Sequence, residues 1–165
     1  MSAIASFYLV KNADVDRLKH LAIQPVGPVA GGKWHDPYWE FLFANARELE
    51  KYGWSGYVIL DVSLFLDARS TKLSEHCDKP LSDFFCNARG STIFVFRSGP
   101  AKALARMISA NVPDDKTLHA FLASPDMISP VGDTSPPEAV LDGIRILNTW
   151  LLQIDEVHVG LLSIG

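Results

Sequence analysis

The sequence predicts an α+β fold with a mixed or antiparallel sheet of about four strands and helices packed against it. Short apolar segments typical of strands occur near both ends of the 165-residue chain and twice between them. Elsewhere, apolar residues recur at the spacing of amphipathic helices. The two element types do not alternate strictly, which argues against a doubly wound parallel sheet. The length is close to that of one domain, so we expect residues 1–165 to form a single globular domain.

Four segments have the length and composition of strands. They are residues 3–10, 57–60, 92–96 and 157–164. In the first strand, Ser6 and Tyr8 lie on one face, and the other face carries Ala5, Phe7 and Leu9. The last strand is too apolar for a free edge, so we expect it to pair inside the sheet or at a subunit interface.

Helices are predicted where apolar residues recur every three or four positions. The segments are 12–22 with Asn12 as N-cap, 36–53, 81–87, a helix opening at 98–100, a short helix capped by Asp114 or Asp115, and 138–153. Residues 61–67 either extend the second strand or form a helical turn capped by Asp61. Proline and glycine predict loops at 24–35 and 124–137, and residues 68–80 are polar and irregular.

The helix at 36–53 has the clearest sequence signals. Asp36 can accept hydrogen bonds from the first-turn amides, and Pro37 suits the first helical position, where its missing N–H costs nothing. The apolar stripe that follows consists of Trp39, Leu42, Phe43, Ala46 and Leu49. Gly53 would then end the helix in a left-handed conformation.

Composition narrows the functional classes. Hydrophobic residues make up 48% and charged residues 21%, as in a globular domain rather than a disordered chain. The net charge of −4 disfavours nucleic-acid binding, which needs a basic face. No apolar run approaches the roughly 20 residues of a membrane span, and no basic residue precedes the apolar start, so we expect a cytoplasmic protein without a signal peptide. The two cysteines are expected to be free thiols.

The first candidate for a ligand site is Trp34, His35 and Asp36, together with Tyr38 and Trp39, where a glycine-rich loop meets a helix. An imidazole beside a carboxylate and aromatic rings suits a small molecule, because histidine titrates near neutrality and a helix N-terminus biases its charge. The alternative is structural: Asp36 caps the helix, and the neighbouring rings of Tyr38 and Trp39 belong to the core.

The second candidate is Arg97, Ser98 and Gly99, with Lys102 one turn later, between a strand and a helix. Backbone amides at this position can bind a phosphate or carboxylate. The segment matches neither a Walker A loop nor a dinucleotide-binding fingerprint. A capped helix start is the simpler interpretation of the segment, and we favour it over an anion site.

The cysteines and histidines give weaker signals. His76 precedes Cys77, and Cys86 follows nine residues later, but neither cysteine has a family signature around it. Asp115 and His119 are four residues apart on a predicted helix, which also suits a surface hydrogen bond. We therefore predict no metal site and no cofactor.

The layout of the chain resembles that of the YfbM-like family of uncharacterised bacterial proteins. The resemblance covers the strand at residues 4–9, W-x-F-L from Trp39 to Leu42, Pro80-Leu81, Gly99-Pro100-Ala101, and a long last helix with Leu141-Asp142-Gly143 before an apolar strand. The chain departs from the family at residues 54–73, where it has an extra apolar segment. The resemblance implies a small bacterial α+β protein and transfers no catalytic residue.

These signals favour a non-catalytic protein-binding or interaction module, for example of the immunity type that blocks a toxin. The acidic charge and the aromatic residues Trp34, Tyr38 and Trp54 motivate this expectation. The alternative is a small enzyme or ligand-binding domain with a pocket between Trp34–Asp36 and Arg97–Lys102, which requires the two segments to meet. Self-association through the last strand is a third possibility.

Overall fold

A computed structural model describes residues 3–28, 32–124 and 135–165. The strands are β1 (Ala5–Lys11), β2 (Gly27–Pro28), β3 (Trp34–His35), β4 (Arg47–Glu48), β5 (Thr92–Phe96) and β6 (His158–Ile164). The helices are α1 (Val15–Ala22), α2 (Pro37–Asn45), α3 (Tyr57–Ala68), α4 (Leu73–His76), α5 (Lys79–Arg89), α6 (Ser98–Ala110), α7 (Asp115–Leu122) and α8 (Pro137–Leu152). None of the helices in these ranges is both long and apolar enough to cross a bilayer.

The main sheet has four antiparallel strands in the order β4-β1-β6-β5, so the predicted α+β class is confirmed. The last strand, β6, pairs along its whole length with β1 and on its other side with β5. The expectation that this apolar strand pairs inside the sheet is therefore correct. Strands β2 and β3, of two residues each, pair antiparallel with each other in a separate small sheet, and Trp34 of β3 lies beside the main sheet.

Both faces of the sheet carry apolar side chains. The strands are apolar at successive positions, and successive residues of a strand point to opposite sides of the sheet. One face, which includes Phe7, Phe96 and Leu162, packs with buried residues of α3, α6 and α8. The other face, which includes Tyr8 and Leu161, packs with buried residues of α1, α2 and α5. The sheet is thus the middle layer between two sets of helices.

The strand predicted at residues 57–60 is wrong. These residues begin α3, and the ambiguous segment 61–67 continues the same helix. Its buried residues, Val58, Ile59, Asp61, Val62, Phe65 and Leu66, recur with helical spacing. The prediction failed because the spacing of residues in a short, fully apolar segment does not distinguish a buried helix from a buried strand.

The helix predicted at residues 36–53 begins where it was expected but is shorter than predicted. Asp36 caps α2 and Pro37 occupies its first turn, but the helix ends at Asn45. Residues 47–48 then pair with β1, and Leu49 N donates to Phe7 O at 2.8 Å. The outer edge of β1 therefore gains backbone partners that a continuous helix would have denied it. Gly53 ends no helix, and Phe43, assigned to the buried stripe, is 68% exposed.

The remaining elements differ from prediction mainly at their ends. A 3₁₀ turn at Asn12–Asp14 precedes α1, and Asn12 does not cap it but donates its side-chain amide to Glu156 O. Helix α5 is longer than the predicted 81–87, and the irregular segment 68–80 contains α4. The buried face predicted for the helix at residue 98 is confirmed in α6 at Ala101, Leu104, Ala105 and Ile108. Most of the predicted loop 124–137, and residues 29–31 of the loop 24–35, lie outside the described residues.

Candidate functional site

A groove of about 690 Å³ opens at the end of the sheet where β1 begins and β6 ends. Its floor is formed by three hydroxyl side chains, Ser6, Ser91 and Ser163. Ser6 and Ser163 are opposite each other in the β1–β6 register, on the face that carries Tyr8 and Leu161. The floor is polar because this end of the face lies beyond the apolar residues that α1, α2 and α5 cover.

Four aromatic side chains, Tyr8, Trp34, Trp39 and Phe43, line the groove, and we call it the aromatic groove. Trp39 and Phe43 are four residues apart on α2, so their rings lie on one helix face. The two rings are stacked, with centroids 5.7 Å apart and planes 21° apart. The Tyr8 ring lies 6.1 Å from Trp39 and is tilted by 58°, so the rings form two walls at an angle.

The aromatic groove also collects the most exposed apolar side chains. Trp34 is 70% exposed, Ile4 69% and Phe43 68%, the highest values among the large hydrophobic residues that the structure describes. All three line the groove. Single exposed apolar residues are ordinary on protein surfaces, but a group of them in one concave place is typical of a binding surface.

Asp36 and Arg89 form the polar end of the groove. Asp36 Oδ1 accepts from Tyr38 N at 3.1 Å and from Trp39 N at 3.3 Å, which caps α2. Arg89 Nη2 donates to the other carboxylate oxygen, and the guanidinium lies 4.6 Å from the centroid of the Tyr38 ring. The two side chains are only 10% and 13% exposed, so each charge is held largely out of water by its partner.

Two further ionisable groups of the groove region have defined partners. Glu40 lies on α2, and its Oε1 is 2.8 Å from Nδ1 of His35. Burial raises the pKa of Tyr8, a hydrogen bond with Ser6 lowers it, and the charge of Glu48 raises it further. The Tyr8 phenol is therefore neutral at physiological pH, and Tyr8 is only 3% exposed.

The second sequence candidate lies at the opposite end of the sheet. Arg97 follows the last residue of β5, where it donates to Asp78 Oδ2 at 3.0 Å and to Asn12 Oδ1 at 3.2 Å. The Ser98 hydroxyl lies 2.7 Å from Oε1 of Glu156. A bound anion would have to displace these partners from Arg97.

Trp34, His35 and Asp36 are at the other end, beside the residues where β5 begins. Gly99 and Lys102 accompany Arg97 on α6. The two candidate segments therefore form no common pocket within the described parts of the chain.

Cys86 has a structural role at the edge of β5. Its Sγ lies 3.2 Å from both the amide and the carbonyl of Ile93 in β5. One turn earlier on α5, Ser82 Oγ accepts from Val95 N at 2.9 Å and donates to Asp78 O. These two side chains satisfy backbone groups on the outer edge of β5, which pairs with β6 on its other side.

No group of three or more His, Cys, Asp or Glu side chains in residues 3–28, 32–124 and 135–165 is arranged to hold a metal ion. The carboxylate of Asp61 is fully buried in α3 and accepts a hydrogen bond from the Ser135 hydroxyl. It lies away from the aromatic groove, in the helical layer on the other face of the sheet.

Sequence reasoning found Trp34, Asp36 and Trp39 but missed the rest of the groove. Ser6 was placed on the same strand face as Tyr8, which was a usable signal for a polar patch beside an aromatic ring. Ser163 and Arg89 gave no such signal, because their proximity to Asp36 depends on the sheet order and on where α5 ends.

Comparison with known proteins places the chain in no family. No family model matches the sequence. Searches of curated proteins and of solved structures also give no significant match. The resemblance to the YfbM-like family stays a prediction, and the function has to be argued from the site.

Proposed function

We propose that this protein is a non-catalytic interaction module that holds a segment of a partner protein in the aromatic groove. The observation that carries the proposal is the meeting of Ile4, Trp34 and Phe43, the three most exposed large apolar side chains, at one groove. Fully burying an Ile or Phe side chain contributes about 1.5–3 kcal/mol, so covering these residues gives a substantial driving force for association.

The charged groups at the groove support binding rather than catalysis. Both oxygens of the Asp36 carboxylate are engaged, one by the amides of α2 and the other by Arg89. Glu40 is paired with His35. A general base needs a free position within hydrogen-bond reach of a substrate proton, and Asp36 does not offer one.

The openness of the groove favours a chain segment over a small molecule. Small-molecule sites enclose most of the ligand surface, whereas the side chains at this rim are about two-thirds exposed. A segment can insert one or two side chains and leave its remainder on the surface. We place the interaction in the cytoplasm, where Cys77 and Cys86 stay free thiols. An immunity-type role with a basic toxin as partner is one form of this proposal, which the net charge of −4 favours.

The alternative is a small-ligand site, which the volume of about 690 Å³ also fits. Selection from a random peptide phage library on the immobilised protein distinguishes the two. We expect enriched peptides whose binding is lost in Trp34→Ser and Phe43→Ser. Binding should persist in Leu152→Ser, because Leu152 is 55% exposed but does not line the groove.

Two results would overturn the proposal. One is a set of peptides that bind all three variants equally. The other is the absence of enriched peptides together with groove-dependent binding of a small apolar dye such as Nile red, which would establish the small-ligand alternative.

A further inference from the structure

The aromatic groove combines aromatic faces with an unbalanced negative charge. Its charged lining residues are Asp36, Glu40 and Arg89. The charges of Asp36 and Arg89 offset each other in their partly buried ion pair. The remaining carboxylate, Glu40, is 58% exposed, and its ion-pair partner within the described residues is His35. The formal charges of these three lining residues, two negative and one positive, sum to −1.

Some aromatic rings in the described residues have a cation of the same chain over one face, and the rings of the groove do not. Four aromatic side chains elsewhere in the described residues, Tyr38, Phe41, Phe65 and Phe84, each have an arginine or lysine of the same chain over the ring. Within the same residues, Tyr8, Trp34, Trp39 and Phe43 have no such cation. The faces of aromatic rings attract positive charge, and tryptophan does so most strongly.

We propose, as an extension of the proposed function, that the partner segment inserts a lysine side chain into the aromatic groove. Its methylene stem would pack on apolar surface such as Phe43, and its ammonium group would lie over a ring face beside Glu40. The hydroxyls of Ser6 and Ser163 on the floor supply acceptors for the remaining ammonium protons.

Lysine fits this site better than arginine. The Oε1 atom of Glu40 is already 2.8 Å from His35 Nδ1. A guanidinium prefers both oxygens of one carboxylate, so it would compete with the histidine. An ammonium group needs one oxygen, and Oε2 can provide it.

The test is a titration with two capped pentapeptides that differ at one position. One has the sequence glycine-leucine-lysine-leucine-glycine, and the other has norleucine, which keeps the stem but lacks the ammonium group. Binding is followed by NMR at the indole N–H signals of the four tryptophans. Trp34 and Trp39 report on the groove, and Trp54 and Trp150, which lie outside it, are internal controls.

We expect the lysine peptide to bind about 3- to 30-fold more tightly than the norleucine peptide, the range of a cation–π contact with a neighbouring carboxylate. Glu40→Gln should bring this ratio towards one. Glu75→Gln, at a carboxylate that is 61% exposed on α4, should leave it unchanged.

The outcomes separate this inference from the proposed function. Equal binding of both peptides with shifts of Trp34 and Trp39 would overturn the lysine but leave a peptide-binding groove. Absence of shifts with either peptide would overturn both. Choline binding as tightly as the lysine peptide would replace the partner lysine by a free organic cation.

Discussion

Asp36 and Asp78 are a matched pair that isolates the contribution of the buried ion pair at the aromatic groove. Each aspartate caps a helix with Oδ1, Asp36 on α2 and Asp78 on α5. Each also binds an arginine through Oδ2. The difference is exposure: Arg89 at Asp36 is 10% exposed, whereas Arg97 at Asp78 is 46% exposed. Replacing each aspartate by alanine therefore removes the same two kinds of contact, a helix cap and an ion pair, in different surroundings.

The expected losses in the free energy of unfolding follow from that difference. Loss of a cap costs about 1 kcal/mol at either position. Loss of the exposed partner of Arg97 adds about 0–1 kcal/mol, because water solvates the freed charge. Loss of the partner of Arg89 adds about 3–5 kcal/mol, because it leaves a guanidinium largely out of water. We therefore expect about 4–6 kcal/mol for Asp36→Ala and about 1–2 kcal/mol for Asp78→Ala.

Urea unfolding followed by tryptophan fluorescence measures both losses. If Asp36→Ala is too unstable to fold, the double variant Asp36→Ala/Arg89→Met provides the measurement, because it removes the uncompensated charge. We expect this double variant to be more stable than Asp36→Ala. Equal losses for the two single variants, or a double variant less stable than Asp36→Ala, would refute the reasoning.

Three further predictions concern the core. Tyr38→Phe should leave the free energy of unfolding, measured by thermal denaturation, unchanged or raise it by up to about 1 kcal/mol. The reason is that the buried Tyr38 hydroxyl has no hydrogen-bond partner among the described residues. A clear loss of stability would contradict this expectation. Gly160→Ala should lower the free energy of unfolding, measured in urea, by about 1–3 kcal/mol, because the added Cβ would lie 2.6 Å from the Phe7 ring. The control is Gly99→Ala, which has open space around the added Cβ and should not destabilise the protein. Equal effects of the two substitutions would argue against crowding at Gly160. Burial raises the pKa of Tyr38 and Tyr52, so phenolate absorbance near pH 11 should show fewer ionised tyrosines in the native than in the denatured chain. Since the native pKa values of the two tyrosines exceed the unfolded value of 10.0, the contribution of these groups to stability is present below pH 10 and is lost as the pH rises further. Identical titration curves for the native and the denatured chain would contradict the burial of the two phenols.

The parts of the fold that the sequence predicted correctly are those in which one local pattern decides the element. Helices α6 and α8 have a single apolar stripe with polar residues opposite. The start and the buried face of α6 were predicted correctly, and α8 was predicted close to both of its bounds. Helix α3 was misread because it is apolar on most of its surface, so its period was hidden. The early end of α2 was unpredictable from local spacing, since it depends on the hydrogen bonds that residues 47–49 make to β1.

The candidate site divides in the same way. The capping role of Asp36 was predicted correctly because a cap involves only neighbouring amides. Its partner Arg89 lies 53 residues away in sequence, and the groove floor joins Ser6 to Ser163. Such contacts depend on sheet order, which a single sequence does not contain. The predicted pocket with Arg97 failed because the register of β5 carries Arg97 away from Trp34.

The central position of β6 has a consequence for how the chain reaches its native state. Because β6 lies between β1 and β5, a nascent chain on the ribosome cannot assemble the sheet until its last strand has emerged. Until then β1, which precedes the other strands of this sheet in the chain, has neither its main neighbour β6 nor the residues that complete the groove floor. Contacts across such a span slow folding. An apolar strand that stays unpaired during that time exposes surface that is prone to aggregation.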